Sequence, residues 1–268
     1  MISLKRNTNL DLVEATGRRS RSNSIYQPNQ TEDFKISRGK FSNFLTCPRC
    51  FYIDRVSGLE EPGTPGWTLN EATDFLLKKE FDVCREKQIP HRILIENNLN
   101  HIVPFKHESM DDWRNSRNKG LMWRYHDSNI ILTGGVDDIW FDTKTEKLIV
   151  VDYKSQANEN EVEEITYLES PYHEGYKVQM DFYNYLLVHM GFEVSETSYF
   201  LVVNADKSVD GFYGKMDFTE TLIPYKHDIN WIDNKVSEMI ECMNTEALPE
   251  SHSSCQNCAY SRERAKIE

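Results

Sequence analysis

No stretch of this 268-residue chain approaches the roughly 18 consecutive apolar residues that a bilayer-spanning helix needs, so no such helix is expected. The opening residues, Met1-Ile2-Ser3-Leu4-Lys5-Arg6, lack the apolar core of a secretory signal, and a cytoplasmic location is the expectation. Cysteine is sparse, with six residues, and in a reducing compartment these are poor disulfide candidates. Positive charge is in deficit: 31 Lys and Arg stand against 43 Asp and Glu, a net charge of −12, which argues against unselective coating of polyanions. Local contact with phosphate stays open wherever a metal ion neutralises the carboxylates.

What is present reads as a globular chain, 39% hydrophobic and 28% charged. Residues 1–35 are polar and include the basic run Gly17-Arg18-Arg19-Ser20-Arg21, which predicts a flexible tail. Residues 36–268 are expected to form one domain. Ser37 is placed to cap a short helix carrying Phe41, Phe44 and Leu45. Pro62, Gly63, Pro65 and Gly66 break residues 58–66 into a loop. A helix is expected from about Leu69 to Glu86, with Leu69, Ala72, Phe75, Leu76 and Val83 on its apolar face. Glu80 falls in that stripe, where a carboxylate is either paired or aimed into a site. Strands are expected at about Ile130–Phe141, Leu148–Lys154, Ser198–Asn204 and Gly211–Phe218, with helices at Tyr176–Met190 and Trp231–Met243. That order predicts an α/β fold, a central mixed sheet flanked by helices.

The most telling residues are Gly134-Gly135-Val136-Asp137 and Val150-Val151-Asp152-Tyr153-Lys154, read as two strands of a hairpin. Charges embedded in Ile, Leu and Val runs are costly to bury unless paired or compensated by a cation. Lys154 follows Asp152 by two and shares its face of the strand. Two carboxylates, the Tyr153 carbonyl and an ammonium group make a donor set suited to Mg2+ or Mn2+ and to phosphodiester hydrolysis. Asp137 and Asp152 are the candidate ligands, and Lys154 the cation that would orient water or stabilise developing charge.

Together with Gln179-x-x-x-Tyr183, these motifs resemble the PD-(D/E)XK nucleases, in particular the RecB-like branch that includes CRISPR-associated adaptation nucleases. The resemblance runs from about Phe41 to Tyr260. It implies a restriction-endonuclease-like core in which Asp137 and Asp152 bind metal, Lys154 is catalytic, and Gln179 and Tyr183 support them. Those last two are four apart on a predicted helix and so share a face. Many members of the branch carry a histidine where this chain has Asn70. The resemblance offers Glu80 as a replacement acidic residue from the same helix.

Two Cys-x-x-Cys pairs, Cys47/Cys50 and Cys255/Cys258, bracket the predicted domain and can present four thiolates to one ion or cluster. Such a clasp would join the two ends of the domain. Cys84 and Cys242 lack that spacing and are expected to be packing residues. The resemblance favours an iron–sulfur cluster. The two-and-two arrangement also suits structural Zn2+.

The reading is a metal-dependent DNA nuclease acting on single strands or duplex ends, in repair or defence, with a helicase or other repair or defence protein as the partner class. The alternative is an inactive nuclease-fold subunit that binds nucleic acid or protein within a larger assembly. An RNA substrate is also open.

Overall fold

A computed structural model describes residues 4–64 and 66–268. Met1–Ser3 of the expected tail and Pro65 of the expected loop lie outside the described residues. The first elements are β1 (Phe34–Ser37), α1 (Arg38–Thr46), α2 (Pro48–Arg55), α3 (Thr68–Lys87) and α4 (Arg92–Glu96). Then come β2 (Ile102–Pro104), α5 (Met110–Arg114), β3 (Leu121–Arg124), β4 (Ile130–Gly134), β5 (Asp138–Asp142) and β6 (Lys147–Gln156). The chain finishes with α6 (Glu174–His189), β7 (Thr197–Ala205), β8 (Phe218–Lys226), α7 (Ile232–Asn244) and α8 (Gln256–Arg264). No helix among the described residues is long and apolar enough to cross a membrane.

The expected single domain resolves into two compact units. One is Lys35–Ser42 with Gly66–Val236; the other gathers Met1–Phe34, Asn43–Pro65 and Ser237–Glu268. The larger unit is built on a five-stranded mixed sheet in the order β2-β5-β6-β7-β8. Leu148 to Val151 are all buried, as a central strand covered on both faces requires. β6 pairs antiparallel with β5 and parallel with β7, and α6 supplies the crossover that a parallel pair demands. Trp140, Ile149, Val151 and Leu201 meet Phe81 and Leu94 in the core, at roughly 1.5–3 kcal/mol per fully buried large side chain.

The single strand expected at Ile130–Phe141 is two. β4 joins a separate sheet in the order β1-β4-β3, while β5 joins the main sheet, and Gly135–Asp137 makes the break. A Cβ on Gly134 would lie 2.7 Å from the ring of Tyr183, and one on Gly135 would lie 2.5 Å from Ser116 Cβ. The glycines therefore permit close approach at the point where the chain changes sheets.

α3 buries a different face from the one its apolar pattern implied. Leu69, Phe75, Leu76 and Val83 are each more than half exposed, whereas Leu77, Phe81 and Arg85 are buried. The helix is apolar on two sides, and the winning side is the one Phe81 anchors by stacking on Trp140 and His91. Gly211–Phe218, read as a strand from its alternation, is instead loop and turn as far as Asp217, with Phe218 opening β8.

In the smaller unit, part of the expected tail is packed. Arg18 bridges to Leu59, Arg19 pairs with Asp54, and the buried Tyr26 donates its hydroxyl to Asn244 Oδ1 at 2.9 Å. Polar composition hid this because one aromatic and two arginines hold the segment. Tyr52 similarly donates to the Thr245 carbonyl at 2.9 Å, tying α2 to the segment after α7.

Candidate active site and thiolate cage

The larger unit brings Asp137, Asp152, Lys154, Gln179 and Tyr183 together. Asp137 leaves the glycine break just before β5, and its Oδ2 accepts the Tyr153 N–H at 2.9 Å. Arg114 Nε donates to the Asp137 carbonyl at 3.1 Å, fixing the backbone there. Asp138 turns the opposite way into the interior, as strand alternation requires. There it takes Arg85, Arg114 at 3.0 Å and the Tyr153 hydroxyl at 2.9 Å. Two arginines and a phenol thus buttress the segment that presents Asp137.

Asp152 is fully buried in the middle of β6 and forms an ion pair with Lys154. Gln179, on α6, donates Nε2 to Asp152 Oδ1 and to the Tyr183 hydroxyl, the latter at 3.2 Å. Its other amide atom, Oε1, accepts from Lys154 Nζ at 3.3 Å. Gln179 therefore locks carboxylate, ammonium and phenol into one network. The Lys154 ammonium also lies 4.4 Å from the centroid of the Tyr176 ring, a cation–π contact one turn before Gln179.

Glu80 is not part of this cluster. It is half exposed and pairs with His91 Nε2 at 3.1 Å and Arg92 at 3.5 Å, because α3 turns its stripe outward. The acidic residue α3 contributes is Asp74, with Lys78 one turn on. Lys78 Nζ lies 2.8 Å from Asp74 Oδ2 and 3.4 Å from Asp137 Oδ1. Asn70, a turn before Asp74, donates to the Ser155 carbonyl at 3.2 Å, and Thr73 shares a hydrogen bond with the Ser155 hydroxyl. Asn70, Asp74 and Lys78 recur every four residues, so they share one side of α3. That spacing was available in the sequence but was masked by the stronger apolar pattern on the other side.

The electrostatics call for a cation. Burial, and then the charge of Asp137, outweigh Lys154 and push Asp152 up to about 7. Asp74 is also raised, by burial and by Asp137, against the pull of Lys78. Its Oδ1 is buried with no hydrogen-bond partner among the described residues. Three carboxylates gathered in one cluster, with Asp74 Oδ1 and Asp152 Oδ2 buried without a hydrogen-bond partner among the described residues, match the hard donor set of a divalent ion such as Mg2+ or Mn2+.

The smaller unit holds the second site. Cys47 starts α2, followed by Pro48 in the first turn, and Cys255 starts α8. Each Cys-x-x-Cys thus sits at a helix N-terminus, where the macrodipole favours thiolate. The sulfurs of Cys47 and Cys258 are 3.8 Å apart, Cys50 and Cys255 3.5 Å, and Cys50 and Cys258 3.4 Å. All four lie within 4.8 Å of one another. Thiolates about 2.3 Å from a central tetrahedral ion stand roughly 3.8 Å apart, so the cage fits one ion. A cubane cluster places four irons between its cysteines and needs a wider cage. Burial alone would raise the Cys47 thiol, but hydrogen bonds with the Cys50 and His252 backbone and with neighbouring sulfurs hold it at about 7. Burial and the neighbouring sulfurs raise Cys50 instead. Cys84 and Cys242 stand outside it, and burial raises both.

A family model described as the PD-(D/E)XK nuclease superfamily matches residues 35–262. Among solved structures, the chain is similar to a protein from Eubacterium rectale described as a candidate exonuclease. The identity is 12%, the TM-score 0.41, and the match covers 85% of this chain and 88% of that one. A comparison with curated proteins finds no match.

Proposed function

The chain belongs to the PD-(D/E)XK nuclease superfamily, and from that premise we propose that it is a divalent-metal-dependent nuclease hydrolysing DNA phosphodiester bonds. The observation that carries this is the convergence of Asp137 and the fully buried Asp152 with Lys154 and Gln179 in one hydrogen-bonded network. Asp137, Asp152 and the Tyr153 carbonyl would hold Mg2+ or Mn2+, with Asp74 adding a third carboxylate. When bound, the cation supplies Lewis-acid polarisation of the phosphodiester and acidification of water.

The chain's own groups do the rest. Lys154 keeps a positive charge beside the reacting phosphate, where negative charge accumulates. The Tyr176 ring and the Gln179 amide hold that ammonium in place, and Tyr183 in turn braces Gln179. Asp138, clamped by Arg85 and Arg114, fixes the backbone that carries Asp137. Action on single strands or duplex ends, in repair or defence, follows from the RecB-like resemblance of the motifs. A helicase or another repair or defence protein is the corresponding partner class.

The thiolate cage is read as a structural mononuclear site, filled by Zn2+ rather than by an iron–sulfur cluster. The short sulfur separations support this. A cytoplasmic, reducing setting would keep the four thiols available for metal.

The test is cleavage of labelled linear and circular DNA, single- and double-stranded, by the parent and by Asp152→Ala with Mn2+. Cleavage confined to the parent supports the enzyme, and sparing of circles supports action at ends. No cleavage by metal-loaded parent overturns the reading. Elemental analysis and visible spectra of anaerobically purified protein test the cage: one zinc and no colour support the assignment, and brown protein containing iron and sulfide refutes it.

A further inference from the structure

Lys78 places a second ammonium group among the carboxylates of the candidate site. Its ammonium bridges Asp74 Oδ2 at 2.8 Å and Asp137 Oδ1 at 3.4 Å, and its side chain is 20% exposed. Asp137 already gives its other oxygen to the Tyr153 N–H, so Oδ1 is the atom it has left for a cation. A second lysine, Lys154, already serves Asp152. The two lysines are held differently: Lys154 is held from three sides by Asp152, Gln179 and Tyr176, while Lys78 bridges the Asp74 and Asp137 carboxylates.

We propose that Lys78 is a built-in counter-ion that holds the cation's place between Asp74 and Asp137 and is displaced when the divalent metal binds. This rests on the metal site proposed above. Three carboxylates confined in one cluster repel each other, and Lys78 relieves that repulsion in the metal-free protein. Two cations cannot share Asp137 Oδ1 and the neighbouring Asp74 oxygen without strong repulsion, so metal and ammonium compete. Lys78 lies on α3 near its middle, on a long flexible stem that can swing toward solvent without moving the helix. Freed from the carboxylates, its ammonium remains within reach of a bound anion. The site therefore keeps itself folded when empty and accepts metal at reduced affinity.

The experiment is Mn2+ binding to the full-length parent and to Lys78→Met, measured by electron paramagnetic resonance of free Mn2+. The variant should bind about tenfold tighter or better, because the competitor is gone while the stem's packing is kept. Unchanged or weaker binding by a folded variant overturns the inference. Parent protein alone supplies a second readout: acetylation of Lys78 by an amine-reactive ester, followed by peptide mass spectrometry, should quicken several-fold on adding Mn2+. A rate that stays flat or falls refutes displacement even if the variant does not fold. Cleavage by the parent is scored separately. A parent that cleaves while Lys78→Met binds no tighter removes this inference and leaves the nuclease standing. Tighter binding without cleavage does the reverse. Binding by neither protein removes both the counter-ion and the cation site.

Discussion

Replacing Asp152 with asparagine should make the metal-free protein more stable at alkaline pH while abolishing its activity. The carboxyl is fully buried, and burial with the charge of Asp137 raises it to about 7 from an ordinary 3.8. The folded state therefore binds this proton more tightly than the unfolded chain. The Asp152 contribution to stability is most favourable below about pH 4, falls as pH rises from about 4 to 7, and levels off above. At about 1.4 kcal/mol for each pH unit of that window, ionised Asp152 costs the fold roughly 4 kcal/mol at pH 8. Asparagine leaves Lys154 without its partner, at a cost of about 3 kcal/mol for an ammonium that keeps Gln179 and Tyr176, so about 1 kcal/mol of gain should survive. For a chain of this size that is a few degrees in melting temperature. The assay is thermal or urea unfolding from pH 4 to 9 in buffer depleted of Mg2+ and Mn2+, without a chelator that would strip the thiolate cage. Mn2+ should then stabilise the parent and leave Asp152→Asn unmoved. If the two proteins share the same slope between pH 4 and 7, or the variant is weaker at pH 8, the buried carboxylate is not under electrostatic stress and the site reasoning fails.

Lys154→Ala should lower the cleavage rate about a hundredfold or more without weakening Mn2+ binding, measured in single-turnover assays. Tyr176→Leu removes the cation–π contact together with the ring contacts to His173 and Phe200, so a fall of about three- to tenfold in rate with a modest drop in melting temperature is expected. Glu80→Gln should leave both Mn2+ affinity and cleavage at parental values, since Glu80 serves His91 and Arg92; a loss of either would return it to the site. Cys258→Ser should release the cage metal and abolish hydrogen-exchange protection in residues 43–65 and 237–268, read by mass spectrometry.

The legible part of the site was the part written in short local patterns. Asp152 and Lys154 are two apart on an apolar strand, Gln179 and Tyr183 four apart on a helix, and each cysteine pair three apart. Strand and helix geometry turn those spacings into shared faces directly. Asp137 was found, but its neighbour Asp138 was not, because two arginines distant in sequence decide which aspartate is buried. α3 misled for a similar reason. Its pattern shows an apolar stripe on Leu69, Leu76 and Val83, and only the partner surface reveals that Phe81 and Leu77 face the core. With the helix rolled by that choice, Asp74 and Lys78 enter the site and Glu80 leaves it. The packed Tyr26 was equally hidden, since its hydroxyl partner lies more than two hundred residues away.

Both α2 and α8 begin with a cysteine. An ion in the cage would thus fasten two helix beginnings at once. With such an ion in place, a single oxidised sulfur would unfasten both, and the response of the smaller unit to oxidation would be all or nothing rather than graded.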